Sequence, residues 1–198
     1  EIMRDGLKNG ISLEEHSIPI ARRLQELGVH GIVLSGGLVS ATPMYVMRGE
    51  LPLTTLTHYM TDPLLKYSIG CCKPLVRKTM IKPVKYEEAY FLEDALKFRE
   101  ALPDMKFIYV GGLVAGDKIN EVLGHGFEAV QMARSLLNEP DFVNKLKEDP
   151  HHRCGCKHSN YCIGRMYTLE MACHQHMEEA LPEKIVKEIE RIEKEQNA

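Results

Sequence analysis

The chain has no apolar run near the ~20 residues that a bilayer-spanning helix needs. It has no basic stripe, and its first residues are polar and charged where a secretory leader would be apolar. The first absence predicts no membrane. The second predicts no nucleic acid: 25 Lys and Arg stand against 28 Asp and Glu, for a net charge of −3. Without a patch of positive charge there is no footprint for a phosphate backbone. The third predicts a cytoplasmic protein. Sustained periodicity is also missing between positions 39 and 85, where Pro43, Pro52, Pro63, Pro74 and Pro83 interrupt the pattern. A stretch of that length is too long for a plain connection, so an elaborated loop with short elements of its own is expected.

What is present is the raw material of a globular core: 198 residues, 44% of them hydrophobic, long enough for a sizeable interior. The stretch FIYVGGLVAGDKINEVLGHGFEAVQMAR (107–134) organises it. An apolar run, Phe107 to Val110, ends in Gly111-Gly112. A helical segment from about Asp117 to Leu123 is closed by Gly124. A second apolar run, Phe127 to Met132, ends in Ala133-Arg134. Glycines without a Cβ let the main chain turn sharply and approach a ligand, and amides at a strand end are donors an anion can use. Arg134 adds a forked cation suited to phosphate. Gly111, Gly112, Ala133 and Arg134 are therefore the parts of one phosphate cradle. The competing reading is a pair of turns that need small residues for geometry alone.

Ser12 to Glu15 has the spacing of a capping box. Leu13, Ile20, Ala21, Leu24 and Leu27 continue as a helical stripe, and Gly28 is a suitable stop. GIVLS (31–35) is a third strand and ends in Gly36-Gly37. GGLV at 36–39 returns at 111–114, a weak internal repeat of one β/α unit. In the elaborated segment Tyr45, Arg48, His58, Tyr59 and Arg77 are candidate ligand contacts, and Cys71-Cys72 read as small hydrophobes. Helices are predicted at Tyr86 to Leu102, Asn138 to Lys147 and Pro182 to Glu195, the last with Ile185, Val186, Ile189 and Ile192 inward. Asp117 reads as a helix N-cap. Apolar strands alternating with amphipathic helices imply an α/β fold with a parallel sheet. The expected architecture is the C-terminal part of a (β/α)8 TIM barrel, about three strands, at 1–148, followed by a Cys-rich segment and a helix at 149–198.

LQELGVHGIVLSGG and FIYVGGLVAGDKINEVLGHGFEAVQMARSLLNEPDFVNKL resemble the second half of the Old Yellow Enzyme family, whose larger members are the 2,4-dienoyl-CoA reductase-like NADH:flavin oxidoreductases. The resemblance spans roughly 5–38 and 86–175. It implies that the three strands are the last three of an FMN-binding barrel, and that Gly111, Gly112, Ala133 and Arg134 hold the FMN phosphate. It also implies NAD(P)H as co-substrate and hydride transfer to an activated double bond of a small-molecule substrate. The family's earlier strands, with its substrate-binding pair and catalytic Tyr, have no counterpart, so no catalytic residue is assigned. A half-barrel with open sheet edges is expected to self-associate. A different class suits the same cradle: an isomerase- or aldolase-like barrel that holds a substrate phosphate, with a structural Cys/His tail.

Six cysteines stand at 71, 72, 154, 156, 162 and 173. The crowding of the last four suggests a metal or redox cluster in a reducing compartment. Iron–sulfur members of the resembled family place four cysteines here, which implies a [4Fe–4S] cluster on Cys154, Cys156, Cys162 and Cys173, although Ser159 stands where the second ligand belongs. Zinc with His158, His174 and His176, or plain thiols packed under the last helix, are the other two readings.

Overall fold

The computed structural model describes residues 3–167 and 169–196. Its helices and strands, in order, are α1 Ile18–Glu26, β1 Gly31–Leu34, α2 Pro43–Met47, α3 Leu53–Tyr59, α4 Pro63–Cys71, α5 Lys73–Leu75 and α6 Leu92–Ala101. Then follow β2 Lys106–Val110, α7 Gly116–Gly124, β3 Ala129–Gln131, α8 Arg134–Asn138, α9 Phe142–Glu148, α10 Tyr161–Arg165 and α11 Glu183–Gln196. The chain divides into two compact units by contact and not by linear order. The first is Glu1–Met47 with Glu87–Gly155, and the second is Arg48–Tyr86 with Cys156–Ala198. Most of the elaborated segment thus clusters with the C-terminal residues, while positions 149–155 belong with the strands. No described helix is long and apolar enough to cross a membrane.

The first unit is an α/β layer around a three-stranded sheet in the order β1-β2-β3. Both pairings are parallel, from Gly31↔Lys106 to Leu34↔Tyr109 and from Ile108↔Ala129 to Val110↔Gln131. Alternation along β2 sends Phe107 and Tyr109 into the core, both 0% exposed. Phe98 of α6 meets Phe107 edge-on at 6.0 Å, and Phe127 meets Tyr109 at 5.6 Å. The Tyr109 hydroxyl is satisfied inside that core. It accepts from the Phe91 amide (3.2 Å) and donates to the Gly111 carbonyl (3.1 Å). Tyr109→Phe strands both groups away from water. Thermal melts are expected to show a loss of about 1–2 kcal/mol, and an unchanged melt would remove the hydroxyl from the stability of this unit.

Several sequence expectations are corrected here. The capping box at Ser12 does not form: the Ser12 hydroxyl lies 3.0 Å from His16 Nδ1, and a π-type turn, Leu13–Ser17, precedes α1. Pro19 has no N–H, so the regular ladder is already broken at that point. The helix predicted from Tyr86 starts only at Leu92, after Ala89 adopts a left-handed φ of 59°. The helix predicted over 138–147 starts only at Phe142, because Glu139, the residue before Pro140, is extended (φ −131°, ψ 93°) and Asn138 ends the preceding helix. The third strand is shorter than its apolar run; Phe127 lies before it. Gly124 is inside α7, and the left-handed glycine beyond the helix end is Gly126 (φ 85°).

The second unit is helical. Ile185, Ile189 and Ile192 line the buried face of α11, and Val186 is exposed. Ile185 and Ile189 pack with Tyr161, and Tyr59, Met177 and Leu181 close around them. Two buried carboxylates tie the discontinuous halves together. Glu188 accepts from the Thr54 amide (2.7 Å), the Thr55 amide (2.8 Å) and the Thr55 hydroxyl (3.0 Å). It thereby caps α3, whose own N-cap position is Pro52 with no capping side chain. Glu50 accepts from both terminal nitrogens of Arg191 (2.7 and 3.1 Å) and from Arg77 (2.6 Å). Asn160, held at φ 55°, donates to the Arg48 and Glu50 carbonyls.

Candidate functional site

The strand ends of the first unit come together as the sheet register requires. β2 and β3 are parallel neighbours, so Gly111-Gly112 and Ala133-Arg134 leave the sheet from adjacent strands in the same direction. Gly111 is buried, Gly112 and Arg134 are half-exposed, and Ala133 is exposed. Arg134 is the first residue of α8, and the next residue, Ser135, donates its hydroxyl to the Leu113 carbonyl (2.9 Å), binding the two strand ends to each other.

The two double glycines share a packing reason that sequence alone did not reveal. A Cβ on Gly36 would lie 2.8 Å from the Phe91 ring, and one on Gly111 would lie 2.6 Å from the Tyr109 hydroxyl and 3.2 Å from Phe91. Both glycines make room for one buried aromatic, so the first glycine of each GGLV is explained by geometry. Gly112 takes a left-handed φ of 67°, a conformation that favours glycine. Part of the expected amide supply is also already used. Glu88, which sequence reasoning did not single out, accepts from the Val114 amide (2.9 Å) and the Ala115 amide (2.8 Å), and it pairs with Arg153 (2.9 Å). The turn after β2 does present amides to an anion, and at those two positions the anion is a carboxylate of the same unit. Gly112 and Arg134 are partly open to solvent and Ala133 is exposed at these strand ends.

Near the end of the unit, Glu139 gathers three donors: His152 Nε2 (2.8 Å), the Gly155 amide (2.8 Å) and Lys145 Nζ (3.0 Å). Burial opposes its ionised form, but the hydrogen bonds from His152, Gly155 and Lys145 outweigh burial and lower its pKa from 4.5 to about 2. A depressed carboxylate stabilises the fold above its unfolded pKa and loses that contribution as pH falls through the folded value. Stability of the first unit is therefore expected to drop between about pH 4.5 and 2, by up to roughly 1 kcal/mol per pH unit. Glu139→Gln flattens that slope in acid-denaturation curves; an unchanged slope would refute the role. Asp117 is not the N-cap of α7, a position held by Ala115; its carboxylate meets His151 Nδ1 at 2.5 Å.

The four clustered cysteines are divided between the units. Cys154 is buried in the first, with its thiol donating to Asn138 Oδ1 (3.2 Å). A thiol aimed at an amide oxygen suits the protonated state, not a thiolate ligand. Cys156, Cys162 and Cys173 are half-buried in the second. Cys156 Sγ lies 3.8 Å from His158 Nδ1, and the His158 ring stacks on Tyr86 at 3.5 Å. His174 pairs with Glu193 at 2.9 Å. Among the described residues no three His, Cys, Asp or Glu side chains are grouped as a metal ion requires. Cys71 and Cys72, expected as small packed hydrophobes, are exposed at the end of α4.

The candidates from the elaborated segment separate cleanly. Tyr45 packs against Phe91 at 5.7 Å, the Arg48 carbonyl receives Asn160, and Arg77 pairs with Glu50. These three act in structure. His58 and Tyr59 instead line a cavity of about 690 Å³ in the second unit.

Comparison with known proteins gives one informative likeness. Over 167 residues the chain is 36% identical to the 4,4′-dithiodibutanoate disulfide reductase of Rhodococcus erythropolis, an overlap that takes in 84% of this chain and 40% of that protein. The chain therefore spans less than half the length of the curated relative it matches. No family model matches the chain, and no solved structure matches it.

Proposed function

We propose that this chain is the carboxyl-terminal part of an FMN-dependent NAD(P)H oxidoreductase, contributes its FMN-phosphate site, and belongs to the Old Yellow Enzyme type of barrel. The observation that carries the reading is the pairing of two features. One is the 36% identity to an enzyme named as a disulfide reductase; the other is the set of Gly112, Ala133 and Arg134 beyond the ends of adjacent parallel strands. Gly112 provides close backbone approach, Ala133 keeps the entrance small, and Arg134 offsets phosphate charge with a planar fork. The Ser135 bond to the Leu113 carbonyl fixes the spacing of the two ends. When bound, FMN supplies the hydride chemistry between nicotinamide and acceptor. The acceptor of the whole protein is a small electron-poor molecule, either an activated double bond or, as the relative's name indicates for that enzyme, an organic disulfide. The outer strands β1 and β3 are the places where further strands, or a second copy of the chain, would add to the sheet.

Titration of the 198-residue chain with FMN and with riboflavin, followed by flavin fluorescence, tests this. FMN is expected to saturate at a concentration about tenfold or more below riboflavin, because only FMN carries the phosphate. Equal binding of the two, or a sugar phosphate bound where FMN is not, would overturn the flavin reading.

A further inference from the structure

The cavity of the second unit has a chemistry that the flavin reading does not use. It lies between the end of α3, the last residue of α10 and the segment from Leu169 to Pro182, and its volume of about 690 Å³ is that of a small-ligand pocket. One wall is apolar: Tyr59, Met177 and Leu181, which also pack on the buried Tyr161, Ile185 and Ile189. A cation lies against that wall. Arg165 lies over the Tyr59 ring at 5.3 Å, with its Nε donating to the Glu170 carbonyl (3.1 Å). Its other partner is the Tyr161 hydroxyl, so among the described residues nothing that holds Arg165 is a carboxylate. His58 and His176 also line the cavity.

Charge of both signs surrounds the cavity. Burial, and then Lys184 and Lys66, lower the pKa of His58, so both lysines are felt at the cavity. Glu178 and Glu179 line the cavity too, but both are exposed, where water and salt screen them more than the half-buried Arg165. The Tyr59 and Tyr161 hydroxyls are bonded to each other at 2.9 Å. Burial, and then that bond, push Tyr161 up to about 12, so its hydroxyl keeps its proton.

We propose that this cavity binds an organic carboxylate with an aliphatic or aromatic arm. The carboxylate is held by the Arg165 guanidinium and the arm lies against Tyr59, Met177 and Leu181. A planar fork without a carboxylate of its own is the donor set a bidentate carboxylate completes, and the adjacent apolar wall rewards a body that inorganic anions lack. The site belongs to the second unit and the phosphate cradle to the first, so it stands independently of whether FMN binds.

Chemical-shift titration of the 198-residue chain with hexanoate, hexanamide and inorganic phosphate tests the proposal. Hexanoate is expected to shift resonances around Arg165, His176 and Met177 and to bind at least ~10-fold tighter than its neutral amide. Arg165→Met is expected to erase that difference, and Arg165→Lys, which keeps the charge without the fork, to leave part of it. Equal affinity for hexanoate and hexanamide would overturn the proposal without any variant. Phosphate binding as tightly as hexanoate would make the site a bare anion site and overturn the organic ligand.

Discussion

Glu188→Ala is expected to destabilise the second unit by about 3–4 kcal/mol. The carboxylate is buried and takes three bonds, from the amides of Thr54 and Thr55 and the hydroxyl of Thr55. Those amides belong to the first turn of α3, where the helix has no donors' partners of its own and Pro52 cannot cap. Truncation leaves two peptide N–H groups and a hydroxyl without their acceptor in a largely buried site, at roughly 1–3 kcal/mol for each group left unsatisfied before relaxation. The favourable field between a carboxylate and a helix N-terminus disappears with it. Glu188→Gln keeps one acceptor oxygen and is expected to lose about half as much. Tyrosine near-UV dichroism reports on this unit, because Tyr59 and Tyr161 pack beside α11. A urea midpoint for Glu188→Ala within the error of the unmodified chain would show that the cap is replaced by water.

Arg134→Ala is expected to weaken FMN binding by about 30–100-fold, the equivalent of roughly 2–3 kcal/mol for a charge-assisted, forked contact. Riboflavin affinity should hardly change, since Arg134 is assigned to the phosphate alone. Arg134→Lys retains the charge but not the planar fork, and an intermediate loss near tenfold is expected. Fluorescence titrations of the three proteins with both ligands decide it. A parallel loss for FMN and riboflavin would assign Arg134 to the ring or to folding, and no loss would remove it from the cradle.

The sheet was legible because its information is local. GIVLS, FIYV and FEAVQM are apolar runs of strand length, and three parallel strands stand there, trimmed at their ends. The adjacency of Gly112 and Arg134 follows from the same alternation, as two consecutive strands of one parallel sheet pair edge to edge. What could not be read was every feature made by residues far apart. Glu188 and Thr54 are separated by 134 positions; the period of α11 puts Glu188 on the face of Ile185 and Ile192, but nothing in it names the partner. Glu88 taking the Val114 and Ala115 amides belongs to the same class. So does Phe91, whose ring explains two glycines on two different strands. The cysteines are close in sequence, but the chain changes unit between Cys154 and Cys156, which spacing does not show.

That change of unit also fixes an order of events during synthesis. Within this chain the residues of the first unit end at Gly155, whereas the second needs Cys156 onward, the α11 capping carboxylate above all. Residues 48–86 therefore emerge early and wait. In that interval α4, α5 and the turn after them, which bury no residue even in the finished protein, offer Leu64, Tyr67, Leu75 and Met80 to whatever is nearby. A nascent chain arrested just beyond residue 155 will hold a folded sheet beside an unfolded, sticky insertion, the species on which a chaperone acts.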